Sequence, residues 1–392
     1  MQKLTLAAAL LCTTFATSQA MAWDGAGHKI VALVAEHYLT PQTKDRVRSL
    51  LAGDNDKLTD HDLASASTWA DKYADSDKAT THQRYDQTNE WHFARLAANR
   101  PNVPEACYGQ KPLPTGTQAS RGPAKSCVID KINDFADELA NVDTPEAERL
   151  LALKYLLNLV GDIHQPLRVT DEGNDYGQHM GIKANAMTPG DLFTVWDSIV
   201  VSRLQGTNSP EQTARLLIAR ISEEDRRLWA SRAPQLWALE AHQLGVIYAY
   251  GMTGNFDDQG YSNVDDAKMD QATKLAALQL SRAGVRLAYM LNQAIAPNSL
   301  PPVATSIPSA GSAVAGEAFA RVVCTVCHVV SKDQKIATTA PDFAAIAKTR
   351  GITESALHEF LSGPHPTMPN MHLTDKQASN VVTYIMSLKA AP

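Results

Sequence analysis

The chain has 392 residues, a formal net charge of −6 and five cysteines. That length allows two or three domains, and the lack of any basic tract excludes a broad nucleic-acid footprint, so any phosphate recognition has to be local. After the first 22 residues there is no run of about 18 apolar residues, so no membrane span is expected.

Residues 1–22 carry Lys3, an apolar stretch over 4–15 and small residues at Ala20 and Ala22, the pattern of a secretory signal peptide. Cys12 follows Leu11, where a lipid anchor wants a small residue, so the expected product is an exported, periplasmic chain without a lipid. Cleavage can fall after Ala20 or after Ala22. The second cut makes Trp23 the first residue, with a free amine that is a neutral nitrogen donor near pH 8. Loss of Lys3 takes the formal charge from −6 to −7.

Residues 23–295 read as one large domain that is nearly all helix, and the fold class expected is all-α. Helix starts recur at Thr40-Pro41, Thr144-Pro145 and Ser209-Pro210, each a capping hydroxyl before a first-turn proline. Cys107 and Cys127 bracket a Pro/Gly-rich loop and are expected to pair as a disulfide. The helix from Pro145 should bury Leu150, Leu151, Leu153, Leu157 and Val160 and stop before Pro166, with Asp162 near its end. A buried carboxylate there needs a partner. Gly161 allows another backbone to approach, Asn158 lies one turn back on the same face, and His164 follows two residues on. A long amphipathic run at 265–294 closes the domain.

Residues able to ligate a metal recur in short aromatic or glycine settings: Trp23 and His28 in W-D-G-A-G-H, Asp71 in T-W-A-D, His92 in W-H-F, Asp162 in G-D-I-H-Q-P-L and Asp197 in V-W-D. A lone His or Asp is usually a satisfied structural group. The ordered set, with a tryptophan at the processed terminus, resembles the secreted trinuclear-zinc nucleases of the S1/P1 family, which share a fold with zinc phospholipase C. The similarity includes the late stretch A-G-V-R-L-A-Y-M-L-N at 283–292.

The resemblance implies one metal on Trp23, His28 and Asp162, and a neighbour on Asp71, His92, Asp162 and position 158. Two metals sharing a carboxylate suit phosphodiester cleavage; Asp71, Asp162 and Arg168 are the residues expected to serve catalysis. Three departures stand out, because the family has His at the positions of Asn158, Arg168 and Phe193. Asn158 keeps only a carbonyl oxygen, a poor zinc donor, while Arg168 and Phe193 have no lone pair to give. The third site would retain Asp197 alone and is expected to be empty. In its place Arg168 is expected to pair with Asp197 and grip an anionic oxygen bidentately. His164 and His179 are the nearby histidines able to stand in for a lost ligand. One or two divalent ions are therefore expected, zinc first, with copper or iron as alternatives.

Residues 296–315, rich in Pro, Ser and Ala and free of charge, read as a linker to a small domain over 316–392. After Gly316 and Phe319 comes C-T-V-C-H, in which Cys324 and Cys327 would bind haem c through thioethers and His328 would ligate its iron. Met368, in P-H-P-T-M-P-N-M-H, is the expected second axial ligand, ahead of Met371, His365 and His372. With a terminal helix over 374–389 containing Tyr384, this part resembles small monohaem cytochromes c, which implies an electron carrier with a periplasmic redox partner. Three functions remain open on the sequence: a nuclease-like hydrolase acting on single-stranded nucleic acid or another phosphodiester, an oxidoreductase built on a repurposed metal site, and a non-catalytic binding domain.

Overall fold

The computed structural model describes residues 23–296, apart from 100, 115, 185–188 and 231, and residues 311–390, apart from 327, 333, 335–339, 350, 351, 353, 355, 356, 359, 360 and 362–372. The fold is all-α. Its short strands form a parallel pair, Leu96–Ala97 with Thr170–Asp171, and a three-stranded sheet in the order Gly190–Asp191, Gly181–Ala184, Tyr261–Val264.

Three helices frame the site. The first, Gly25–Tyr38, is capped by the Asp24 carboxylate, which accepts from the N–H groups of Ala26 and Gly27. It packs along the long helix Asp266–Ile295, and Gly284 sets the closeness of that contact, since a Cβ there would collide with Val34. The central helix, Glu146–Asp162, is buried continuously from Ala152 to Asp162. Its polar residues there, Lys154, Asn158 and Asp162, recur every fourth position on one face, and each meets a polar partner inside the protein.

The central helix starts one residue later than expected. Pro145 occupies the N-cap and no side chain caps it, while the Thr144 N–H donates to Asn141 in the preceding turn. Leu150 and Leu151 are half-buried because those first turns still lie near the surface, whereas Leu153, Leu157 and Val160 are fully enclosed. The other two proline starts form as read: Thr40 accepts from the Thr43 N–H, and Ser209 makes a reciprocal capping box with Gln212.

Cys107 and Cys127 form a disulfide. Cys127 is also the N-cap of helix Val128–Ala140, and the Val128 N–H donates to the Phe93 carbonyl at 2.8 Å. The segment after His92 is thus tied at two points, here and by its strand pairing to the segment after Arg168.

One hydrophobic core runs from Trp23 to Leu291, and a separate one gathers Ala320, Val330, Phe343, Leu357, Tyr384 and Ile385. In the second, helix Ala313–Val323 crosses the terminal helix Asp375–Ser387, with Gly316 at the crossing: a Cβ there would collide with the Asn380 carbonyl. Thr374 caps the terminal helix through a capping box with Gln377, and the helix gives way at Leu388 to a 3-10 turn rather than running to Lys389. Residues 297–310, most of the expected linker, lie outside the described residues, as does the expected signal peptide. Among the described residues no helix is long and apolar enough to cross a membrane.

Candidate functional site

Four elements distant in sequence bring side chains to the end of the central helix. His28 comes from the first helix, Asp71 from helix Trp69–Asp75, His92 from the 3-10 turn Asn89–His92, and Asp162 is the last residue of Glu146–Asp162. Trp23 is fully buried and its Nε1 donates to the Gly161 carbonyl at 2.9 Å, which pins the segment before the first helix to the central one. What lies against Gly161 is the His28 imidazole rather than a backbone: a Cβ at 161 would sit 2.7 Å from His28 Nδ1.

His92 Nδ1 lies 2.7 Å from Asp162 Oδ2 and 3.8 Å from Asp71 Oδ1. His28 Nε2 is 3.6 Å from both Asp162 Oδ1 and Asp71 Oδ2. All four side chains are buried, Asp71 being the most open at 8%. Burial opposes ionisation of Asp162, yet Arg168, His92 and His28 together hold its carboxyl below the usual range. Burial also disfavours a charged His92, but the adjacent Asp162 wins and lifts the imidazole above its ordinary value. Asp197, in the π-helical turn Val195–Ile199, is raised well above a normal carboxyl by burial, which Arg168 and a 3.2 Å hydrogen bond from Gln165 only partly offset.

The departures from the family pattern are placed differently from expectation. Asn158 presents its amide nitrogen to the cluster, donating to Asp71 Oδ2 at 2.6 Å and to the Ser67 carbonyl at 3.0 Å. Both neighbours are acceptors, so a donor has to face them, and the carbonyl oxygen expected as a ligand points away from Asp71. No ion pair within 4.0 Å joins Arg168 to Asp197; the carboxylate Arg168 reaches is Asp162, with Nε 4.0 Å from Oδ1. Its guanidinium packs to one side of Phe93 and Phe193, at 4.3 and 5.1 Å from their centroids, which are themselves 6.3 Å apart. Phe193 therefore serves as a wall for the cation. Phe93 went unremarked in the sequence, although its place beside His92 was a signal.

Neither neighbouring histidine replaces a lost ligand here. His164 Nδ1 donates to the Val160 carbonyl at 2.7 Å and its Nε2 accepts from Arg286 at 2.7 Å, so both nitrogens are engaged. Burial and Arg286 push its pKa down to about 3. His179 lies on an exposed loop against the Asn174 carbonyl.

The donor set suits a divalent cation. It combines two imidazoles with two carboxylates, and His92 Nε2 and Asp162 Oδ1 are buried without a hydrogen-bond partner. Asp71 and Asp162 face one permanent cation, Arg168, so with neutral imidazoles the cluster keeps a negative charge that a divalent ion offsets, while burial favours the neutral form of Asp197. The ligand atoms are spread more widely than a coordination sphere, and the 2.7 Å His92–Asp162 hydrogen bond has to open for both to share an ion. Among the described residues, the group with ligand atoms all within 4.8 Å is Cys107, Cys127 and Asp130, whose sulfurs are tied up in the disulfide.

In the second core, Cys324 opens the 3-10 turn Cys324–Val326. His328 Nδ1 donates to the Pro341 carbonyl at 2.7 Å, which fixes the tautomer and leaves Nε2 as the lone pair for an iron. Its ring packs 5.3 Å from Phe343, and the Tyr384 hydroxyl donates to the Val330 carbonyl at 2.7 Å. These residues suit a c-type haem; Cys327, His365, Met368, Met371 and His372 lie outside the described residues.

A family model described as S1/P1 Nuclease matches residues 23–296. Nuclease P1 of Penicillium citrinum is 24% identical over 295 residues, covering 69% of this chain and 97% of that protein. Endonuclease 4 of Arabidopsis thaliana is 27% identical over 303 residues, covering 73% of this chain and 93% of the relative. Cytochrome c-552 of Bradyrhizobium diazoefficiens is 38% identical over 90 residues, 22% of this chain and 86% of that protein.

Proposed function

The chain belongs to the S1/P1 nuclease family and carries a cytochrome c domain, and from that premise we propose that residues 23–295 form a divalent-metal phosphodiester hydrolase in which Arg168 stands in for the third metal. The observation that carries this reading is the Arg168 guanidinium itself, packed against Phe93 and Phe193 with its Nε 4.0 Å from Asp162 Oδ1.

His28, Asp71, His92 and Asp162 would hold the ion, zinc by preference, and the Trp23 amine, once freed by cleavage before Trp23, would add a nitrogen donor for a second. When bound, the ion polarises a phosphoryl oxygen and lowers the pKa of a water. Asp71 orients that water, and Asn158, donating to Asp71 Oδ2, keeps the carboxylate turned toward it. Arg168 donates N–H bonds to the phosphoryl oxygens as negative charge builds on them, where a fixed donor is worth most. With Arg168 and Phe193 in their places, the third site of the family holds no ion.

The chain's negative balance leaves recognition to the groups around Arg168 and the metal cluster, and the substrate class is single-stranded nucleic acid or a small phosphodiester. Cleavage before Trp23 and export to the periplasm accord with the signal-like residues 1–22 and with haem c. Residues 296–315 link the hydrolase to an electron carrier over 316–392, where Cys324 and Cys327 bind the haem, His328 and Met368 ligate its iron, and a periplasmic protein exchanges electrons with it.

The test is incubation of the processed, haem-loaded chain with single-stranded DNA in the presence of zinc, with Asp162→Asn alongside. Cleavage by the first and none by the second is the expected result. Intact substrate at full zinc occupancy rules the hydrolase out.

A further inference from the structure

His92 stands on a four-residue 3-10 turn, Asn89–His92, a piece too short to fix its own side chains. The loop closed by the Cys107–Cys127 disulfide, which joins residues 20 apart, grips this turn. The residue after each cysteine reaches it. The Tyr108 hydroxyl donates to Glu90 Oε2, and the Val128 N–H donates to the Phe93 carbonyl at 2.8 Å, so the two bonds fall on either side of His92. Between Tyr108 and Val128, the Gly122 carbonyl accepts from Gln87 Nε2 at 2.8 Å and the Pro123 carbonyl accepts from Trp91 Nε1 at 2.9 Å. Lys131, from the helix that Cys127 caps, lies 4.0 Å over the Trp91 ring and donates to the Ala119 carbonyl at 2.8 Å, which ties the loop to the same turn.

On its other side the imidazole is held by the 2.7 Å bond to Asp162. That bond has to open when both side chains share an ion, and the contacts from the loop then carry the position of the ring. A metal donor keeps its affinity only while its supporting contacts hold it in place. Without the disulfide, the anchors at Tyr108 and Val128 are joined only through the loop itself, and the span that sets His92 between them is no longer fixed.

We propose that the Cys107–Cys127 disulfide is a positioning device for His92: closing the loop fixes the imidazole for metal binding, and the dithiol form of the chain binds zinc about 10- to 100-fold more weakly. Closure joins the two sulfurs and passes two electrons and two protons to an external disulfide, which leaves as a dithiol. Full metal affinity is therefore reached where such an oxidant is present. The inference rests on the metal site of the proposed function, and neither on hydrolysis nor on the haem.

The test is a zinc titration against a competing chelator on the full-length, processed, haem-loaded chain in three forms: oxidised, reduced by a phosphine that is then removed, and Cys107→Ser/Cys127→Ser. Free thiols are counted and folding is checked by circular dichroism in each. His92→Ala, oxidised and reduced, completes a cycle, because general loosening would weaken the site with or without this imidazole, whereas positioning acts through it. The expected result is a loss of about 10- to 100-fold on opening the disulfide in the wild type, against less than about threefold in His92→Ala. Should both open forms fail to fold, Gln87→Ala/Tyr108→Phe removes two loop contacts from partly exposed positions with the disulfide intact, and the same His92-dependent weakening is expected. Equal losses with and without His92 overturn the proposal, and so does unchanged affinity in a folded form that lacks the disulfide or these two contacts. Zinc binding that ignores the disulfide sinks this inference alone, whereas a chain that binds no zinc in any form sinks it together with the proposed function.

Discussion

A guanidinium packed against two phenyl rings and almost wholly buried has lost most of its freedom, so the direction in which Arg168 donates is set before a substrate arrives. Under the proposed function, Arg168→Ala should lower kcat by about 10²- to 10³-fold, the usual cost of losing one preorganised donor. Zinc content should stay the same, because Arg168 offers the metal no lone pair. Arg168→Lys should recover little, since an ammonium has no planar fork to give two N–H bonds to one anion. Steady-state kinetics with metal analysis separate these outcomes from loss of the ion.

His92 gives the site a pH signature. Burial pulls its imidazole down, but Asp162 raises it further, so in the metal-free chain the folded state binds this proton more tightly than the unfolded state does. The stabilisation is fully present below the unfolded value of 6.5 and is lost as pH rises through the folded value. Glu138, pushed up to about 7 by burial, acts in the same direction. Lys131, pushed down to about 8 by burial, acts in the opposite direction only above that value. The Tm of metal-free protein should therefore fall between pH 6.5 and 8, and saturating zinc should flatten the fall. A rising Tm in metal-free protein contradicts the assignment.

At this scale the sequence showed which residues matter better than how they meet. His28, Asp71, His92 and Asp162 stand in recognisable settings, and the structure brings all four together. The partner of Arg168 was not legible, because it depends on two aromatic rings from segments 100 residues apart, Phe93 and Phe193. The orientation of Asn158 was hidden for a similar reason: the Ser67 carbonyl and Asp71 decide it, and neither lies near 158 in the sequence.

Among the elements, the central helix delivers Asp162 only because Gly161 makes room for the His28 ring. Gly161→Ala would place a Cβ 2.7 Å from Nδ1 and 2.9 Å from Cε1 of an imidazole with no space to retreat. We expect this variant to lose about 1–3 kcal/mol of stability, the range for overpacking a tight interior, and to bind zinc at least tenfold more weakly because His28 is displaced. Chemical denaturation and a zinc titration check the two parts, and wild-type zinc affinity would count against the role given to Gly161. In the second core, Gly316→Val would drive a side chain into the Asn380 carbonyl and part the two crossing helices. The haem absorbance per chain should drop sharply, while DNA cleavage by the first domain persists.

Helix ends governed by local chemistry could be read directly, as at Thr40 and Ser209, where a hydroxyl meets an N–H three residues on. Thr144 missed its role because Pro145 took the cap position instead of the first turn. The long helix at Asp266–Ile295 was legible from its period. Its pairing with Pro234–Leu244 through Arg282, Arg286 and Glu240 was not, since no local pattern links residues 40 apart that meet only in the core.

For the molecule as a whole, two separate cores and a Pro/Ser-rich break agree with the two resemblances: a metallohydrolase first, then a haem carrier. The central claim is that the hydrolase works with fewer ions than its relatives because Arg168 supplies the missing charge. Counting zinc per chain by native mass spectrometry, on protein processed to Trp23 and shown to cleave single-stranded DNA, tests this most directly. One or two zinc ions per chain in the active protein is the predicted result; three ions, or cleavage with none, contradicts it.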